Sequence, residues 1–333
     1  GITGNDRIGN YEFASLYNIG VYNFSETVVP TLVAQRMPNP FVRWEAVEQY
    51  NIGFDFGFFN QRLMLSVDGY IKNSNDLLVN MAVPISTGYS DIDVPSINAG
   101  KMRNTGLEVA LTSHNLRGAI DWTTTVNLTF NKNEIKSLNS DVPLYQNSIE
   151  NSNISIQAEG HPMNSFYAFV VDGILQNQAD VDRAAVQIAG GTAPGDIRFK
   201  DLNNDGVIDD NDRTFIGNPN PDLLYSMNNR LAWKDFDLEI FLQGSLGNDI
   251  YNANRMTLEG MKVSDNQSTA VLNRWQGEGT SYTMPRAVYN DPNKNTRASD
   301  RYIENGSYLR IKNISLGYNL PRNVLNKILM TQA

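Results

Sequence analysis

The sequence predicts an all-β fold, a segment of an antiparallel transmembrane β-barrel with long extracellular loops. Three observations carry this prediction. Most of the long segments alternate apolar and polar residues with a period of two. Short and long connections between them alternate strictly. Aromatic residues gather at the ends of the apolar faces.

In "YNIGFDFGF" (50–58), Tyr50, Ile52, Phe54, Phe56 and Phe58 point one way and Asn51, Gly53, Asp55 and Gly57 the other. A period of two places successive side chains on opposite faces of a strand. A partner strand is expected over 62–72, after a short turn around "FNQR". "TGLEVALTS" (105–113) sets Leu107, Val109 and Leu111 against Glu108, Ala110 and Thr112. "DWTTTVNLTFN" (121–131) sets Trp122, Val126, Leu128 and Phe130 against Asp121, Asn127 and Thr129. Strands over 223–233 and 236–243 are separated only by "KD". The last, "YLRIKNISLGY", changes phase near Asn313, as a strand does at a β-bulge. This gives about seven strands, with room for one more in the first twenty residues.

The connections at about 73–104, 132–222 and 244–307 are long, and the others are short. Outer-membrane barrels show this asymmetry, with short periplasmic turns and long outer loops. Strands of about 10 residues also suit a tilted crossing of a bilayer. Tyr50 and Phe58, Trp122 and Phe130, and Tyr225 and Trp233 flank their apolar faces as interfacial girdles do. The rival reading is a soluble all-β protein with one polar face outside.

Composition narrows the function classes. No apolar run reaches the roughly 18 residues of a membrane-spanning helix. "GITGNDRIGNYEF" does not read as a signal peptide, so either the protein stays inside the cell or its export segment is not in this chain. There is no cysteine, which excludes disulfide and thiol chemistry. A formal charge of −9 argues against nucleic acid as a partner. His114 and His161 lie far apart without a metal-ligand pattern and read as ordinary loop residues. No pair of carboxylates is placed for glycoside hydrolysis, so no catalytic residue is assigned and the protein is not expected to be an enzyme.

Several stretches, in order, resemble the SusC/RagA-like TonB-dependent outer-membrane transporters of the Bacteroidota. They are "NPFVRWEAVEQYNIGFDFGFFNQRLMLSVDGYIKNSNDLL", "NAGKMRNTGLEVALTSHN", "EGHPMNSFYAFVVDGI", "PGDIRFKDLNNDGVIDDNDRTFIGNPNPDLLYSMNN", "VLNRW" and "SDRYIENGSYLRIKNISLGYNLP". They cover most of the chain from Asn39 to Pro321. The resemblance implies a 22-stranded barrel with an N-terminal plug, import of oligosaccharides or peptides energised through TonB, and a SusD-like surface lipoprotein as lid. Residues 1–333 then correspond to part of the barrel domain, without the plug, the signal peptide or the last strands. "NLPRNVLNKILMTQA" reads as a turn region and not as a closing strand. The partners implied are the lid lipoprotein, the TonB system, the remaining barrel and plug, and the cargo. The location implied is the outer membrane.

One motif points to a metal. In "DLNNDGVIDDND", Asp201, Asn203, Asp205, the Val207 carbonyl, Asp209 and Asp212 stand at positions 1, 3, 5, 7, 9 and 12, with Gly206 at position 6. Hard oxygen donors in that order, with a glycine at the sharp turn, suit Ca²⁺. Position 12 is the shorter Asp in place of the usual bidentate Glu. The flanks are not helical, so no helix pair is available to open, and a structural clamp is expected instead of a sensor. The competing reading is a metal-free turn rich in Asp, Asn and Gly. Trp275 and Tyr302 suit either stacking on sugar rings or packing loops together. Cargo-binding residues are not legible. The alternative function is a secreted glycan-binding or adhesive protein with a calcium-stabilised loop.

Overall fold

A computed structural model describes residues 1–5, 13–80, 96–138, 144–149 and 152–320. The chain opens with β1 (Ile2–Asn5) and a hairpin of β2 (Leu16–Phe24) and β3 (Thr27–Arg36). Ser25 and Glu26 make the hairpin turn at φ 50° and 67°, the backbone that a two-residue turn of primed type requires. Then come β4 (Glu45–Phe58), β5 (Leu63–Asn80), β6 (Ser96–Leu116) and β7 (Ile120–Ser137).

Between β7 and the next long strand lies a folded insert. It holds β8 (Leu144–Ile149), β9 (Ser152–Gln157), β10 (Ser165–Ala168), β11 (Val171–Ile174), helix α1 (Gln178–Arg183), β12 (Ile197–Phe199) and β13 (Thr214–Gly217). The long strands resume with β14 (Leu223–Trp233) and β15 (Phe236–Leu246). A second insert follows, with β16 (Asp249–Tyr251), α2 (Ala253–Leu258) and β17 (Ile303–Asn305), before β18 (Tyr308–Tyr318).

The long strands form one eight-stranded antiparallel sheet in the order β1-β4-β5-β6-β7-β14-β15-β18. It is an open arc, and β18 is one of its edges. The short turns 59–62, 117–119 and 234–235 all fall at one end, because the pairing is antiparallel throughout. Both inserts fall at the other end. Among the described residues no helix is long and apolar enough to cross a membrane.

The register makes the two faces explicit. One row reads Phe56, Leu65, Leu111, Val126, Met227, Leu242, Ile311 across β4 to β18. The next row reads Asp55, Ser66, Ala110, Asn127, Ser226, Gln243, Arg310. A shift of one residue moves every side chain to the opposite face, so this hydrophobic pattern pins the register. Among the described residues the apolar face meets no second sheet: Phe54 is 53% exposed and Leu316 72%. A soluble sandwich would cover such a face with a second sheet. The phase slip near Asn313 is a bulge. Phe241 faces Asn313 and Leu242 faces Ile311, leaving Lys312 as the extra residue.

The structure departs from the sequence reading in three places. Strands β5 and β6 continue to Asn80 and from Ser96, so much of the expected 73–104 loop is paired strand. The first twenty residues, where room for one strand was expected, hold β1 and the start of β2, and β3 follows to Arg36. His114 lies in β6 opposite Thr123 and not in a loop; its Nδ1 is 3.1 Å from the Thr123 hydroxyl. The reading of residues 321–333 as a turn region lies outside the described residues.

The inserts carry the buried core. Phe169, Ile174, Ile197, Phe199 and Ile208 form one cluster, with Trp275 packed against it. Ile154, Ala168 and Ala298 form a second, and Met261, Val271 and Met284 a third. The first, through Trp275, and the second, through Ala298, join residues of the later insert to the earlier one, so the two inserts pack against each other. A four-stranded sheet in the order β13-β10-β9-β8 stiffens it.

Candidate functional site

The acidic loop runs from β12 to a 3-10 turn at Asp210–Asp212 that leads into β13. Its flanks are strands and a turn, in agreement with the sequence reading. Asp201 accepts from the backbone N–H of Asn204 and Gly206 at 2.6 and 2.9 Å. Asn203 accepts from the Asp205 N–H, Asp205 from Val207, and Asp209 from Asn211. Gly206 sits at φ +85°, a backbone that a side chain rarely adopts. Asp212 is fully buried and accepts from the N–H groups of Leu202 and Asp209.

Every predicted oxygen-bearing side chain is thus held in order by main-chain donors. Each carboxylate oxygen keeps a further lone pair after one such bond. The donors suit a hard cation in kind and sequence. They are not gathered into a ready cage: among the described residues no three His, Cys, Asp or Glu side chains converge as a metal cluster. The loop is also braced from outside. The Val186 N–H donates to the Gly206 carbonyl and the Ile208 N–H to the Val186 carbonyl, both at 2.9 Å. Beside Asp212, the Arg213 guanidinium lies over the rings of Tyr145 and Tyr167 and donates to the Asn153 and Tyr167 carbonyls.

A buried polar network ties the two inserts together. Asp196 is fully buried and takes Arg286 Nε and an Arg286 terminal nitrogen at 2.8 and 3.0 Å. Asn295 also donates to Asp196, and Asn293 accepts from Gln187 and Thr192. Glu259 takes Arg255 and Arg301 on its two oxygens. Burial pushes the Glu259 carboxyl upward, but the two guanidinium partners outweigh it and hold it below the usual range. At Asp300, burial wins and raises the carboxyl.

The predicted aromatic candidates are packing residues. Tyr302 is 2% exposed, and burial pushes its hydroxyl up to about 12. Trp275 packs on the first core cluster and its Nε1 donates to Gln176. His161 stacks on Phe215 with ring centroids 3.5 Å apart.

The sequence assigned no cargo residues. The polar face of the sheet supplies a cavity of about 530 Å³ lined by Gln49, Asn51, Asp68, Tyr70, Glu108 and Asn131 among others. Tyr70 lies over Gly106, where any Cβ would meet its ring, and donates to Asn131. It was not legible in the sequence, because Tyr70 and Gly106 meet only once the strands are in register.

These two-faced strands, turns and outer inserts define an outer-membrane β-barrel wall. Residues 9–330 match the family described as TonB dependent receptor-like, beta-barrel, and the chain belongs to it. It is 32% identical to TonB-dependent receptor P3 of Formosa agariphila over 98% of this chain and 32% of that protein. It is 28% identical to TonB-dependent receptor SusC of Bacteroides thetaiotaomicron, over 96% of this chain and 31% of that protein. A solved structure of the RagAB peptide transporter superposes with a TM-score of 0.76 at 25% identity, covering 97% of this chain and 33% of that one. The chain therefore spans about a third of the length of the relatives it matches. Family membership places it in the outer membrane, in a family of receptors and not of enzymes. The expected SusC/RagA resemblance holds.

Proposed function

We propose that this chain forms part of the wall and outer loops of a TonB-energised importer of oligosaccharides or peptides. The observation that supports this best is the pair of adjacent rows, Phe56 to Ile311 and Asp55 to Arg310, one made for lipid and one for a wet lumen. In this reading the remaining strands complete a barrel of about 22, as the family resemblance implies. A plug fills the lumen, and a surface lipoprotein closes the mouth over the two inserts. Peptide is the cargo named for the RagAB transporter that this chain resembles in structure, and oligosaccharide enters from the family resemblance. The test is uptake by cells carrying the full-length protein, with labelled oligosaccharides and peptides, with and without TonB. Uptake that vanishes with TonB supports the reading; uptake of neither class contradicts it.

We also propose that Ca²⁺ binds loop 201–212 as a structural clamp, held by Asp201, Asn203, Asp205, the Val207 carbonyl, Asp209 and Asp212. The ordered donors and the φ of Gly206 support this. The ion would supply charge neutralisation and loop rigidity, with no part in any reaction. Outside the membrane an affinity of about 10⁻⁴–10⁻³ M suffices. Equilibrium dialysis at millimolar calcium checks it: no bound ion leaves a hydrogen-bonded turn.

A further inference from the structure

Where the sheet meets the first insert there is a second cavity, of about 480 Å³. Its floor is Met102 of β6 and Ile135 of β7, which pair across the ladder. Ile135 shares its strand parity with Asn127 and Asn131, so it belongs to the polar, lumenal face, at the insert end of the sheet. The walls are Leu77 and Leu78 from the raised part of β5, Leu144 from β8, and Met163. In the importer reading this position is the inner side of the barrel mouth.

The cavity is built and not incidental. The Ile135 N–H donates to the His161 carbonyl and the Gly160 N–H to the Ile135 carbonyl, both at 2.9 Å. The Met163 N–H donates to Asn133 Oδ1 at 2.7 Å. These bonds staple the insert to β7 and fix Met163 above the floor. Volumes of about 300–1,000 Å³ with apolar walls and a few polar groups are those of ligand sites.

The lining selects the ligand chemistry. Among the described residues all seven apolar side chains, Leu138 included, are aliphatic or thioether, and no ring lines the cavity. Against the aliphatic and thioether part of the wall a sugar would leave hydroxyls without partners, which is costly. The polar lining is mostly neutral amide, from Gln146, Asn147, Gln157 and Asn164. Such groups both donate and accept, as a peptide main chain does. Among the described residues Glu45 is the one charge in the lining, and its oxygens are engaged by the Leu78 N–H and Asn5. The site therefore fits an uncharged aliphatic side chain flanked by peptide groups.

We propose that this cavity is a side-chain pocket for peptide cargo, taking a leucine-, isoleucine- or methionine-sized group. The inference rests on the importer reading and narrows its cargo to peptides. The experiment uses the full-length transporter in outer membranes. Two labelled pentapeptides differ only in a central Leu or Ser, and a neutral oligosaccharide of similar size is the third probe. One missing methylene in an apolar pocket is worth about 10–200-fold, so the Leu peptide should bind at least about tenfold tighter. Met163→Glu should abolish that preference, and Met163→Leu should keep it. Met163 is 42% exposed, so neither variant threatens the fold. Equal binding of the two peptides, or a preference untouched by Met163→Glu, would assign the cavity to another occupant, such as the lid or plug, and overturn the proposal. TonB-dependent entry of the oligosaccharide with neither peptide bound would overturn it while leaving the importer reading intact. Entry of none of the three would sink the importer reading and this pocket together.

Discussion

The sheet and the inserts are folded by the same hydrophobic effect in opposite directions. In β4 to β18 the large apolar side chains face outward, with Ile52 63% exposed. In the inserts Leu175 and Ile197 are fully buried. The polar groups invert as well. Asp55 and Asn127 line the open face of the sheet, whereas Asp196, Asn293 and Asn295 sit inside the inserts, each answered by a partner. The difference teaches that two solvents act on one chain. Lipid stabilises an outward apolar face and tolerates no unpaired strand backbone, while water forces the inserts to build a core of their own.

The largest effect that would sharpen this contrast is in the inserts. Asp196→Ala leaves Arg286 without its bidentate partner inside the protein. Breaking a buried pair costs about 3–5 kcal/mol. The expected result is rapid protease cleavage in both inserts of the full-length protein, with the barrel still resistant. Equal loss of the barrel would show that the two regions are not separable.

Next comes the apolar face. Val126→Arg is expected to cost about 2–4 kcal/mol near the bilayer centre. Asn127→Arg, one residue along, should cost far less, because lumenal water and polar groups solvate the charge. Folding yield into bilayers, read by electrophoretic mobility with and without heating, measures both.

A smaller effect is expected at the acidic loop. Asp201→Ala with Asp205→Ala should speed cleavage near Asp212 and make its rate indifferent to chelator, with the barrel intact. In the unaltered protein, chelator should accelerate the same cut. A chelator response that persists in the double variant would place the ion elsewhere.

The smallest effect is titration at Glu259. Its carboxyl is lowered in the folded protein, so its contribution is present above the unfolded value of about 4.3 and is lost as pH falls through the folded one. Insert cleavage should rise on acidification in that window, and Glu259→Gln should flatten the rise.

The sheet was the most legible part of the sequence. A period of two needs only neighbours in sequence, and from it Val126 and Asn127 were set on opposite faces and the slip was placed near Asn313. The hairpin at 16–36 was missed because "TVVPTLVAQR" carries a proline and little alternation. The inserts were read as loops for a different reason. Their core joins residues such as Ile197 and Trp275, and their polar network joins Gln187 to Asn293, more than a hundred positions apart. No local pattern reports such pairs. The order of oxygen-bearing side chains in the acidic loop was legible because they are neighbours in sequence. The mouth cavity was not, because Leu77, Met102, Ile135 and Met163 come from four separate segments.

The central claim is that the row through Val126 faces lipid and the row through Asn127 faces the lumen. Spin labels placed singly at positions 120 to 130 of the full-length protein in bilayers test it directly, by collision with a lipid-soluble quencher and with a water-soluble one. The account predicts alternation along β7, with the lipid-soluble quencher reaching the even positions, 126 and 128 most strongly, and the odd positions, 127 and 129, shielded from it. Alternation in the opposite phase, or access by the water-soluble quencher at every position, would contradict it.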